Sequence, residues 1–166
     1  MKELLSQLYI KKILRYALYM FLALVMQNML FTQLRPLGVC PMWLPAVAAG
    51  VGMFEAPGAG VAFGLIMGYF ADMAFVENTV LFTIMFPAIA FGSALLSQFY
   101  INRRFLAFMG LALLAEIVCA FMQLLATAVT DAFSTEMFRT ALLQIAWSFP
   151  FAALAYVPPA KWIGRD

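Results

Sequence analysis

Histidine is absent from the chain's 166 residues, and only 11% of them are charged. Without histidine, the usual zinc constellations and the Ser-His-Asp triad cannot be assembled. Cysteine is scarce as well. Cys40 and Cys119 stand far apart, make no CxxC pair and give no disulfide framework. The net charge of +2 supplies no basic field of the kind that attracts nucleic acid. No phosphate-binding loop, no G-x-S-x-G elbow and no run of metal ligands occurs. The sequence therefore implies no catalytic residue, no cofactor and no metal.

What is present is apolar. Hydrophobic residues make up 66% of the chain and aromatics 16%, against about 45–50% apolar residues in a soluble domain. A soluble fold of this size would expose too much apolar surface. The composition specifies an integral protein of the lipid bilayer.

A spanning helix needs about 20 mostly apolar residues. Six segments qualify or come close: 13–32, 37–54, 57–76, 79–100, 105–130 and 138–157. The second is short and holds Pro41 and Pro45, so a re-entrant course is open to it. Pro87 and Pro150 fall inside the fourth and sixth, where neighbouring helices can re-satisfy the backbone. The apolar run after Lys11-Lys12 is too long for a cleavable signal and lacks a small-residue cleavage site. Residues 1–12 read as an amphipathic interfacial segment, 13–158 as the membrane domain and 159–166 as a short tail.

Lysine and arginine set the orientation. With the N-terminus inside, eight of the ten fall on the inner side and only Arg35 and Arg139 on the outer. The expectation is an all-α bundle of about six transmembrane helices in the cell membrane, with both termini cytoplasmic. Trp43, Trp147 and Trp162 fall near predicted ends or half-depths, so most of them are expected to face lipid or form interfacial belts. Glu55, in the turn between the second and third segments, reads as an interfacial anchor for Arg15 or Arg103.

Two patterns stand out. Gly60, Gly64, Gly68 and Asp72 recur every four residues, so on a helix they form one row. Small residues at this spacing let helix backbones approach closely, within the bundle or on a partner protein. An acid at the end of that row is costly in lipid unless paired, and Arg35 or Arg139 is the cation expected to pair with Asp72. The second pattern is the polar stripe Glu116, Cys119, Gln123 and Thr127 on the fifth segment. It should face the bundle interior or a cavity. The bland role is hydrogen bonding across helices, for instance to Gln27 or Asn28; the sharper one is a ligand-binding or proton-handling acid.

The order Arg35-Pro36, an apolar segment, Met53-Phe54-Glu55-Ala56-Pro57-Gly58 and then Gly60-x3-Gly64-Leu-x2-Gly68-x3-Asp72 resembles the rod shape-determining protein MreD family. It looks most like the divergent branch found in Gram-positive anaerobes. The motif resemblance covers residues 35–104, and the rest of the chain agrees by hydropathy. The chain departs from the family after the acid, where Val80 stands in place of a turn glycine. Only Gly60, Gly64, Gly68 and Asp72 carry over as matching positions. The resemblance implies a non-catalytic scaffold of the peptidoglycan elongation machinery that binds a single-span, MreC-like partner.

Two other functions compete. A homo-oligomer is compatible with any of them. The polar stripe could line the pocket of a substrate-binding subunit of an energy-coupling factor vitamin transporter. Against that, Ala17 is followed four residues on by Phe21, where such subunits commonly carry Ala-x-x-x-Ala. An intramembrane enzyme would need a paired acid and base, and Asp72 and Glu116 are predicted at different depths.

Overall fold

A computed structural model describes residues 2–34, 38–74, 80–99, 104–130 and 135–159. Among the described residues the chain is helical, with no strand. The elements are α1 (Lys2–Val25), which continues as a π-helical turn (Met26–Phe31), then α2 (Leu44–Phe54), α3 (Pro57–Ala74), α4 (Leu81–Phe99), α5 (Phe105–Thr130) and α6 (Thr135–Pro158). Four helical stretches are long and apolar enough to cross a membrane: Ile10–Phe31, Leu81–Phe99, Phe105–Val129 and Thr135–Pro158. α1 runs without a break through Lys12, so no change of helix separates an interfacial segment from the first span.

The second segment differs from a simple span. Residues 38–43 are not α-helical, Gly38 takes a positive φ of 80°, and only the 11 residues of α2 coil. Two prolines explain the late start. Pro41 and Pro45 bring no amide hydrogen, and Pro45 sits in the first turn of α2, where that donor is not needed. At 1.5 Å per residue α2 is about 16 Å long, well short of a bilayer core of about 30 Å. It lies at the centre of the bundle: every residue from Leu44 to Met53 is buried. Trp43, expected in a lipid-facing or interfacial belt, is instead buried beside it and donates its indole N–H to the Ala23 carbonyl at 3.3 Å.

Glycines make this burial geometrically possible. α3 and α4 form the most extensive helix pair, along the row Gly60, Gly64 and Gly68. A methyl group on Gly64 would lie 2.8 Å from the Phe86 carbonyl and the Pro87 nitrogen; on Gly68 it would lie 2.7 Å from the Phe82 carbonyl carbon. Gly60 faces the Gly52 backbone of α2, and a methyl on Gly52 would stand 2.8 Å from the Ala90 Cα of α4. The α4 row Phe82, Phe86, Ala90 and Ala94 is thereby pressed backbone-first into a seam shared by α2 and α3. Of the two uses open to the glycine row, packing inside the bundle is the one observed. On the other side of α2, Gly50 admits the Phe108 ring of α5 and the Ala155 carbonyl of α6.

The remaining ties are aromatic and polar. Tyr19 of α1 donates to the Ala155 carbonyl of α6 at 3.0 Å and lies 6.2 Å from the Phe63 ring of α3. Glu55, at the C-terminal end of α2, pairs with Lys12 at 3.0 Å; of the two cations expected for it, Arg103 lies outside the described residues.

Gly68→Ala forces a methyl into backbone and should destabilise the fold by about 1–3 kcal/mol. Gly110→Ala meets open space on a helix and should change stability by no more than about 1 kcal/mol, in the stabilising direction. Unfolding of both variants in mild detergent, followed by tryptophan fluorescence, checks the contrast; equal stabilities would remove the seam from the account.

Candidate functional site

Asp72 closes the glycine row, and its carboxylate reaches the start of α4. Oδ1 accepts the Phe82 N–H at 3.0 Å, and Oδ2 accepts the Thr83 N–H at 2.8 Å and the Thr83 hydroxyl at 2.6 Å. The first amides of any helix lack intrahelical acceptors, and the residue before the helix commonly supplies one. Here that residue is Val80, which has no polar side chain. Asp72 therefore caps α4 from a neighbouring helix, and its negative charge sits at the positive end of the α4 dipole. This replaces the ion pair expected with Arg139, whose guanidinium instead lies 3.8 Å from Glu136 on the exposed face of α6. Arg35 lies outside the described residues.

A second set of buried polar groups handles the non-helical approach to α2. Gln27, 1% exposed, sits in the π-helical turn of the first span. Its Nε2 donates to the Pro41 carbonyl at 2.9 Å, and its Oε1 accepts the Trp43 N–H at 3.2 Å. From the opposite side, Ser148 of α6 accepts the Met42 N–H at 2.8 Å and donates to the Gln144 carbonyl at 2.7 Å. Unpaired backbone groups are expensive in an apolar interior, so these two side chains hold the extended stretch in place. A π-turn widens the helix locally and often marks a functional position. Gln27 and Asn28 were expected as partners for Glu116; Gln27 is used here and Asn28 is exposed.

Glu116 lies roughly midway along α5 and is 3% exposed. Among the described residues, neither carboxylate oxygen has a hydrogen-bond partner. It lines a small cavity of about 10 Å³, room for one water-sized group, together with Met42 and Pro45 from the α2 entry, Cys119, Ala120 and Gln123 from α5, and Gln144, Ile145 and Ser148 from α6. The stripe seen in the sequence is thus gathered on one wall: Glu116, Cys119 and Gln123 line this cavity. Gln123 parks its amide on the Met42 sulfur at 3.2 Å. Thr127 lies one turn on, donating to the Gln123 carbonyl at 2.9 Å, and lines a wider, adjoining opening of about 300 Å³ between α5 and α6. That opening shares Ala120, Gln123 and Gln144 with the inner cavity and adds Thr140 and Glu136.

Sequence reasoning found the α5 wall but missed Gln144 and Ser148, the matching α6 wall. They are four residues apart in a largely apolar helix, which is the signal that was available. Among the described residues, no group of three or more Cys, Asp or Glu is placed to hold a metal ion.

Asp72→Ala leaves two amides and a hydroxyl without their acceptor and should cost about 1–3 kcal/mol. Asp72→Asn should recover part of this, and Arg139→Ala should leave stability nearly unchanged; a large Arg139→Ala effect in the same detergent unfolding assay would restore the ion pair. Gln27→Leu keeps the volume but orphans the Pro41 carbonyl and the Trp43 amide. It should cost about 2–4 kcal/mol and raise hydrogen exchange at Trp43; unchanged exchange there would show that the clasp is dispensable.

Comparison of the chain with family models, with curated proteins and with solved structures finds no match in any of the three.

Proposed function

We propose that the chain is a non-catalytic membrane scaffold of the cell-shape and peptidoglycan elongation machinery, similar to MreD, that binds a single-span, MreC-like partner. The observation that carries this reading is the unity of the motif on which the resemblance rests. Gly60, Gly64 and Gly68 seat α4, and Asp72 caps it, so the four matched positions make one rigid hairpin. A motif devoted to rigidity suits a platform that holds partners in fixed register. The seam is filled by α4, so the partner surface lies elsewhere on the bundle.

In this reading the chain crosses the cell membrane six times with both termini cytoplasmic. The surplus of Lys and Arg on one side supports it. α3 is about 27 Å long at 1.5 Å per residue, close to the thickness of the apolar core. α2 falls short alone, but the irregular residues 38–43 before it lengthen the segment.

The cavity beside Glu116 favours a second reading, a substrate-binding subunit of an energy-coupling factor vitamin transporter. Its inner volume of about 10 Å³ is far below the usual range of about 300–1,000 Å³ for ligand pockets, which sets it second.

Purification of the tagged protein from its native membrane in mild detergent, with mass spectrometry of what accompanies it, separates the two. A single-span coiled-coil protein is the expected companion. A transmembrane coupling subunit with paired ATPases would overturn the scaffold reading.

A further inference from the structure

Glu116 stands out against the polar economy of the rest of the bundle. Asp72, Gln27 and Ser148 are each matched to backbone groups, and Glu55 is matched to Lys12. Glu116 is as buried as Gln27, yet both its oxygens lack a donor. A buried acid in a membrane bundle is costly without a counter-charge or a hydrogen-bond partner. Among the described residues, no Lys or Arg lines either the cavity or the adjoining opening. The described cation nearest in sequence to the mouth, Arg139, is turned to Glu136 on the exposed face of α6.

The chemistry of the walls narrows what would satisfy the acid. Glu116, Gln123, Gln144 and Ser148 are the polar residues around the inner space, and the Ser148 hydroxyl is already engaged by the Met42 N–H and the Gln144 carbonyl. The way in, past Thr127 and Thr140, is mixed: hydroxyls and Glu136 alternate with Ala120, Leu124 and Ala141. A metal ion of the hard class would ask for about six oxygen ligands held around it, and one carboxylate with neutral neighbours is a poor cage. An ammonium group fits better. Its N–H donors match a carboxylate in charge-assisted hydrogen bonds, and an alkyl chain behind it would lie along the apolar part of the opening.

We infer that the cavity between α5, α6 and the entry to α2 binds the head of a small primary amine as its ammonium ion, with Glu116 as the counter-charge and the α5–α6 opening as the way in. Gln123 and Gln144, which line both spaces, take part as acceptors at the junction. The site stands independently of the scaffold reading, because it uses none of the α3–α4 residues on which that reading rests.

The test uses the purified full chain in lipid nanodiscs and the hydrophobic carbodiimide dicyclohexylcarbodiimide, which converts accessible membrane carboxyls to a stable N-acylurea. Adducts are located by peptide mass spectrometry. Ethylammonium chloride is the probe, with sodium chloride and tetramethylammonium chloride at equal millimolar concentration as controls. Glu116 should be labelled in the absence of amine, and ethylammonium should abolish the adduct while both controls leave it. Protection means that Glu116 stays the free acid: a free amine turns a carbodiimide-activated carboxyl into its ethylamide, so an ethylamide at Glu116 in place of the N-acylurea would overturn the site. Ethylammonium should also raise the unfolding temperature of the wild type and not that of Glu116→Gln, a variant that keeps the side-chain shape and removes the charge. Failure to label Glu116, labelling that ethylammonium does not reduce, or equal protection by sodium or tetramethylammonium would overturn the site. So would equal stabilisation of Glu116→Gln. The companion proteins found in the membrane purification bear on the scaffold reading alone, so either proposal can fail while the other stands.

Discussion

The close approach of the α4 backbone to α2 and α3 is the contact on which the rest of the bundle rests. In lipid, apolar side chains gain little from leaving one hydrocarbon environment for another, so helices associate through dense packing and interhelical hydrogen bonds. Four glycines supply that density. Gly64 and Gly68 bring α3 against Phe86, Pro87 and Phe82; Gly52 brings α2 against Ala90; and Gly60 meets Gly52 between them. With α4 seated, α2 is enclosed on that side, and α5 and α6 close over the other through Phe108 and Ala155. A central helix of 11 residues persists because the bundle surrounds it completely.

Enclosure has a cost in unsatisfied backbone, and the polar residues of the bundle are placed to meet it. The irregular stretch before α2 borrows an amide from the first span and a hydroxyl from the last. The start of α4 borrows a carboxylate from α3. In each case a side chain on one helix completes the hydrogen bonding of another, so packing and polar satisfaction stabilise the same arrangement. Glu116 is the buried acid that this logic does not reach, and it faces a space rather than a backbone.

Much of this was legible in the sequence because lipid restricts the vocabulary. The ends of α3, α4 and α5 fall within two residues of those expected from hydropathy. The four-residue spacing of Gly60, Gly64 and Gly68 announced a close-packed face. The partner of Asp72 was harder to read. A carboxylate near a membrane surface suggests an arginine, whereas a helix start 10 residues away is visible only once the hairpin is closed. The clue lay at Val80, an apolar residue where a cap would ordinarily stand. Trp43 was misplaced for a related reason: belts are inferred from depth along a span, and this span is broken by prolines so that its tryptophan lies inside. The π-turn at Gln27 left no local mark beyond one amide in an apolar run.

The cap on α4 also bears on how the protein is made. Asp72 emerges in the chain before Phe82 and Thr83, the residues whose amides donate to its carboxylate in the fold. Until those residues follow, the acid near the end of α3 lacks the donors that satisfy it in the bundle. Once α4 follows, the acid and the glycine row find their complement in the same helix. The pair, rather than either helix, is the unit that the insertion machinery can hand to the bilayer in a satisfied state.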